Sequence, residues 1–303
     1  MFDKRITCCY LYPITKYGYP PSARDTIDYI KEMNDMGFTS IELEGIREEH
    51  LMKIYEMRFD IKKKINELKI ELPYFCAVLP GLSSLNEKAR DHNLSLFEKG
   101  CEIAKLFRSK GILDNCPLPP YIFPEDMPIV RHYDEDSLRR AFFPENFSWK
   151  KYEDLLVDTF RTVCEISAKF GLTYQMHPAV GVLFSTPDGF LNFFDKVQQD
   201  NLRFNFDTAN LFTMKENLSL SLLKLSERID YIHFSDNRGE RVEHLPIGEG
   251  KIEWNKFFET VDKIGFKGNF GIDIGGSESG VRNLNLSYIA AANYLENEWL
   301  KKD

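Results

Sequence analysis

Along residues 202–210 (LRFNFDTAN) apolar and polar positions alternate, with Leu202, Phe204 and Phe206 on one side and Arg203, Asn205 and Asp207 on the other. A period of two is that of a β-strand, whose successive side chains point to opposite faces. Residues 172–177 (LTYQMH), 231–235 (YIHFS) and 269–274 (NFGIDI) repeat the pattern, with polar sets of Thr173, Gln175, His177; Tyr231, His233, Ser235; and Asn269, Gly271, Asp273. One face of each strand can pack under helices while the other lines a polar interior. An open sheet covered on both faces would read as nearly continuous apolar runs, so the alternation predicts a closed barrel.

The rest of the chain supplies units of the same kind. Strand one is expected over 5–11, followed by a proline-rich loop 12–22 and a helix 24–36 stopped by Gly37. Strand two, 39–44, sets Thr39, Ile41 and Leu43 against Ser40, Glu42 and Glu44. A charged amphipathic helix over 50–70, with a solvated lysine run, leads to strand three (72–78), then a helix 94–109 and strand four (112–115). Residues 116–148 form an irregular insertion with six prolines, expected to lie over the barrel mouth. Helices are then expected over 149–170, 187–199, 216–227, 254–264 and from 284, alternating with strands five to eight. Eight strand–helix units predict an α/β fold of the (β/α)8 TIM-barrel type, a single domain over 1–303. The 303 residues exceed the roughly 250 typical of that fold by an amount that insertions cover.

Composition narrows the function classes. A hydrophobic content of 43% provides for a sizeable core. No run of about 20 apolar residues spans a bilayer, and MFDKRITCCYLYP reads as a first strand rather than a signal peptide. Six cysteines without a C-x-x-C pair fit reduced thiols in a cytoplasm. A net charge of −8 opposes the attraction that drives non-specific nucleic-acid binding, which argues against DNA as substrate.

In TIM barrels the working groups stand at the carboxyl ends of the strands. The inward faces there offer Glu44, Gln175, His177, Asp207, His233 and Asp273. Oxygen and imidazole donors converging from several strands suit one divalent ion such as manganese, magnesium, cobalt or zinc.

With these residues in place, HPAVGVLFSTPDGF, NFDTANLF, YIHFSDNRG, PIGEGKIEW, GIDIGG and the amino-terminal GFTSIELEG together resemble the xylose isomerase-like superfamily of sugar isomerases and epimerases. The resemblance implies a barrel holding one divalent ion on Gln175, Asp207, His233 and Asp273, with Arg238 and His244 near the substrate. Asn210 stands where many relatives carry a histidine. The chain also departs from the family at strand five, where a glutamate becomes Gln175, and at strand eight, where a glutamate becomes Asp273. An amide does not titrate, so the two-glutamate proton exchange cannot operate in its usual form, and weaker ion binding is expected.

The implied function is proton abstraction beside a carbonyl of a sugar or keto-polyol, with Asp273 or Glu44 as base and His177 or Glu249 returning the proton. Proton return elsewhere gives isomerisation or epimerisation. Loss of a β-substituent gives a lyase resembling inosose dehydratase-like enzymes, acting on keto-polyols or keto-glycosides, and a catalytically degenerate carbohydrate-binding barrel is the third reading. Tyr12, Tyr17, Tyr19, Phe184 and Trp254 are candidates for a sugar-stacking wall or for core. Gly275, Gly276 and Ser277 occupy a place where barrels bind phosphate. The oligomeric state is left open, a homo-oligomer included.

Overall fold

The computed structural model describes residues 1–124 and 135–300. Among the described residues nine strands carry the barrel: β1 (Ile6–Cys8), β2 (Leu43–Ile46), β3 (Tyr74–Val78), β4 (Gly111–Asn115), β5 (Thr173–His177), β6 (Leu202–Phe204), β7 (Phe206–Asp207), β8 (Tyr231–Phe234) and β9 (Asn269–Ile272). They form two parallel arcs, β2-β3-β4-β5-β6 and β7-β8-β9-β1. Across one seam Cys8 N–H donates to Ser40 O (3.0 Å) and Glu42 N–H to Cys8 O (2.9 Å). At the other seam β6 and β7 are the two halves of the predicted sixth strand, separated by Asn205 alone. Eight strand positions thus close a ring.

The alternation read from the sequence is the division of the molecule into layers. Phe204, Phe206, Ile232, Phe234, Phe270 and Ile272 are fully buried against the surrounding helices. Inside the ring a second, smaller apolar group of Cys9, Tyr74, Cys76, Leu113 and Tyr231 fills the barrel below its mouth. All six cysteines are buried and free. Among the described residues no helix is long and apolar enough to cross a membrane.

Three local expectations change. The chain after β1 does not run on as a loop from residue 12, because a helix, Leu11–Tyr17, starts at once. Pro13 lies in its first turn, where the amide hydrogens have no intrahelical acceptor and proline costs no hydrogen bond. Strand two pairs later than predicted, over Leu43–Ile46, with only isolated bridges at Ser40 and Ile41. Gly45 permits this by letting Leu51 press against the strand, since a Cβ there would lie 2.4 Å from Leu51 Cδ1. Within the insertion, the described flanks are tied together by an antiparallel bridge between Ile122 and Phe142 and contain a short helix, Glu135–Arg139. The expected cover between them, 125–134, lies outside the described residues.

Candidate metal and substrate site

Five polar side chains meet at the carboxyl end of the ring: His177 at the end of β5, Asp207 at the end of β7, His233 in β8, Asp273 just past β9, and His244 in the loop after β8. Asp207 Oδ2 lies 3.7 Å from His177 Nε2, 4.0 Å from His233 Nδ1 and 3.7 Å from His244 Nε2. Asp273 Oδ2 lies 3.7 Å from His233 Nδ1 and 3.6 Å from His244 Nε2. These separations are too long for hydrogen bonds. Asp207 Oδ2 and His233 Nδ1 are buried with no hydrogen-bond partner among the described residues.

Asp207, His177 and His244 are held in place from behind. Asp207 Oδ1 accepts the Asn210 N–H at 2.7 Å, capping the helix Thr208–Thr213 and leaving Oδ2 for the cluster. The Asn205 amide nitrogen donates to Tyr231 O, so its oxygen faces His177 and accepts Nδ1–H at 2.7 Å. That leaves the His177 Nε2 lone pair turned toward Asp207. The antiparallel bridge between His244 and Gly275 brings the β8 loop inward.

The electrostatics call for a cation. Burial raises the Asp207 carboxyl, but the imidazoles of His244, His177 and His233 outweigh it and hold the group below the usual carboxylate range. Burial lowers His233, and the carboxylates of Glu42, Asp273 and Asp207 reverse this and push it up to about 9. His244 is likewise lowered by burial but raised to about 9 by Asp207, Glu278 and Asp273. Burial dominates at His177, which falls to about 4. The carboxylates thus hold protons on two imidazoles where a divalent ion would serve instead. Four donors around an ion at about 2.1 Å in a tetrahedron stand about 3.4 Å apart, close to the spacing here. The triads His177–Asp207–His233 and Asp207–His244–Asp273, which share Asp207, therefore have the spacing and the mixed nitrogen and oxygen donors that suit a divalent ion.

The cluster opens onto a pocket lined by His177, His233 and Asp273, with Glu44, Arg47, Tyr19 and Asp114 on its polar walls and Val78, Leu79, Leu113 and Val182 among its apolar ones. Burial pushes the Asp114 carboxyl up to about 8, against the lowering effect of the N–H groups of Asn115 and Leu79.

Several expected site residues lie elsewhere. Gln175 stays below the cluster, where its amide donates to Asp230 Oδ1 at 2.6 Å and Thr173 Oγ1 at 3.0 Å; His177, two residues on, is the β5 side chain that reaches the other donors. Glu249 is exposed in the turn of the β8 loop. Arg238 pairs with Glu243 at 2.9 Å and is not among the pocket residues. Asn210 contacts His177 Nε2 at 3.5 Å and Pro178 O at 3.0 Å, bracing the ring rather than lining the pocket. Tyr12 is buried in the helix layer, its hydroxyl donating to Asn285 at 2.9 Å. Of the five aromatic candidates only Tyr19 lines the pocket. The N–H groups of Gly275 and Gly276 are taken by His244 O and Thr15 Oγ1, which removes them as phosphate donors. Sequence reasoning missed Glu42, 1% exposed, whose Oε2 meets His233 Nε2 at 3.2 Å; its membership of the inward-facing set with Glu44 was the available signal.

Comparisons with known proteins agree with this architecture. A D-tagatose 3-epimerase-like protein superposes with a TM-score of 0.72 at 20% identity, each chain covered over 100%. The 3-keto-D-glucoside 4-epimerase from E. coli gives 0.71 at 16% identity, covering 97% of this chain and 100% of that one. A probable 3-DHS dehydratase from Bacillus anthracis gives 0.69 at 16% identity, covering 96% and 98%. At these identities the likeness is one of fold. An uncharacterized protein of Methanocaldococcus jannaschii is 28% identical over 142 residues, 44% of this chain and 48% of its own length. The chain spans about half the length of the curated relatives it matches. The family model described as xylose isomerase-like TIM barrel matches residues 30–298, and the chain belongs to that family.

Proposed function

We propose that the protein is a metal-dependent isomerase or epimerase of a sugar or keto-polyol, acting by proton removal next to a carbonyl. The observation that carries this reading is a pair of buried donor triads, His177–Asp207–His233 and Asp207–His244–Asp273, that share Asp207 and adjoin a pocket lined by His177, His233, Asp273 and a further carboxylate, Glu44. A divalent ion bound there would supply Lewis acidity toward a carbonyl and a neighbouring hydroxyl. His177, Asp207, His233, His244 and Asp273 would hold it. The epimerase neighbours support the reaction class.

We assign proton removal to Glu44 ahead of Asp273, because Asp273 is engaged with two imidazoles of the cluster while Glu44 stands outside it. The His177 Nε2 lone pair is directed at the cluster and its Nδ1–H at Asn205, so this ring has no proton for the substrate. Glu44, once protonated, returns the proton to the adjacent carbon, which gives isomerisation; epimerisation would leave that proton on Glu44 and need a second group to protonate the first carbon from its other face. A lyase is the second reading, favoured by the imidazole that β5 presents at the cluster and by the dehydratase neighbour.

Incubation of the cobalt-loaded protein with keto-sugars in deuterium oxide tests the proposal. Wild type is expected to exchange the α-hydrogen, and Glu44→Gln to lose at least about 100-fold of that rate, the scale of general-base catalysis, while retaining cobalt. Exchange undiminished in Glu44→Gln but lost in Asp273→Asn would move the base to Asp273. Binding of sugar with no exchange and no product would leave a carbohydrate-binding barrel.

A further inference from the structure

His233 is a two-ended residue. Its Nδ1 faces the cluster, 3.7 Å from Asp273 Oδ2 and 4.0 Å from Asp207 Oδ2. Its Nε2 faces the other way, 3.2 Å from Glu42 Oε2. A neutral imidazole carries one N–H, and whichever nitrogen keeps it cannot be a lone-pair donor. Which end of His233 serves the cluster is therefore decided by what stands behind it.

Glu42 is built for that position. Its side chain is 1% exposed, and among the described residues its only cationic partner is His233. The Tyr231 hydroxyl donates to the same Oε2 at 2.8 Å, and the Tyr10 N–H approaches Oε1 at 3.5 Å. Tyr231 is fixed in turn: its ring is stacked on Tyr74 with centroids 4.1 Å apart and meets His233 edge-on at 4.8 Å, and Cys9 Sγ lies 3.4 Å from its hydroxyl. A buried carboxylate with so few donors is costly unless it is paired and hydrogen-bonded. Its place between a phenol and an imidazole puts it where it can orient that imidazole.

We propose that Glu42 is a positioning residue of the site: it accepts the Nε2–H of His233 and so presents the Nδ1 lone pair to the donor cluster, with Tyr231 fixing the carboxylate. The inference rests on the reading that the cluster binds a divalent ion. Carboxylates behind metal-binding histidines act this way in general, and their loss typically lowers metal affinity by about 10–100-fold.

The test is cobalt(II) titration of the metal-stripped full chain, followed by visible absorption, with histidine tautomers read by 15N NMR of the loaded protein. Glu42→Gln is expected to bind cobalt about 10–100-fold more weakly. Glu42→Asp is expected to recover part of the loss, and Tyr231→Phe to show a smaller loss. In wild type the His233 resonances are expected to report an Nε2–H tautomer, and in Glu42→Gln a mixture. Wild-type affinity and an unchanged tautomer in Glu42→Gln, with affinity lost in His233→Ala, would overturn the proposal while leaving the ion site standing. No uptake of cobalt by wild type would overturn both. Should Glu42→Gln fail to fold, Tyr231→Phe, which removes one hydroxyl, carries the decision: undiminished cobalt affinity there overturns the proposal.

Discussion

At the scale of single residues the site depends on depth as much as on chemistry. Gln175 and His177 share a face of β5, yet one amide turns to Asp230 and the other side chain reaches Asp207. Gln175→Glu separates this geometry from a ligand role. A carboxylate at 175 would strengthen cobalt binding if it touched the ion. Here it would face the Asp230 carboxylate in a buried place, so we expect a loss of roughly 1–3 kcal/mol in urea unfolding with cobalt affinity unchanged. Asp114 gives a pH-dependent prediction. Its carboxyl, raised from 3.8 to about 8, keeps a proton in the folded chain that the unfolded chain releases. The unfolded state therefore binds fewer protons between those values, and stability falls as pH rises. The contribution is full below about pH 4 and gone above about pH 8, a span on the order of a few kcal/mol. Asp114→Asn should flatten the urea-midpoint profile from pH 5 to 9, and an unchanged slope would show that another group titrates.

Among the elements, the loop after β8 is the one the site depends on most, because it brings in His244. Asp236 organises it by accepting the N–H groups of Asn237 (2.8 Å), Gly248 (2.9 Å) and Ile252 (3.2 Å) and the Trp254 indole N–H (3.1 Å). Gly250 passes so close that a Cβ would meet Asp236 Oδ1 at 2.1 Å. Three buried donors and the N–H of the exposed Gly248 would lose their acceptor in Asp236→Ala, for which we expect about 3 kcal/mol of destabilisation and weakened cobalt uptake as His244 moves away. Normal uptake despite a lowered melting temperature would show that the bridge from His244 to Gly275 holds the loop by itself. The helix Thr208–Thr213 illustrates the reverse dependence, since one oxygen of Asp207 caps it while the other faces the cluster. Local folding and site geometry are here the same interaction.

For the whole molecule, the ring of parallel strands collects donors from β5, β7, β8, β9 and one loop, so the site exists only in the folded chain. Anything that binds the folded but not the unfolded state stabilises by mass action, about 2.7 kcal/mol at 100 times the dissociation constant. Saturating cobalt or zinc should therefore raise the melting temperature by several degrees, and EDTA should reverse it. Absence of any shift with all of zinc, cobalt and manganese would count against the ion.

Much of this architecture was legible in the residues. Alternation along 172–177, 202–210, 231–235 and 269–274 fixes which side chains face inward, because the strand period is two whatever the tertiary context. The repeated strand–helix order fixes the closed barrel; in it Asp207 and Asp273 both lie within 4.0 Å of His233. Height within the ring was not legible. A period of two gives the face of a residue but not its level, which depends on strand tilt and on the register between neighbours. For that reason Glu42 rather than Glu44 meets His233 and His177 rather than Gln175 meets Asp207; Tyr12 leaves the barrel for a different reason, because a helix begins at Leu11. Sequence determined the fold and the chemical types available to the site. Tertiary structure decided which of them meet, because only the register of the strands and the path of the β8 loop bring those atoms within 4 Å.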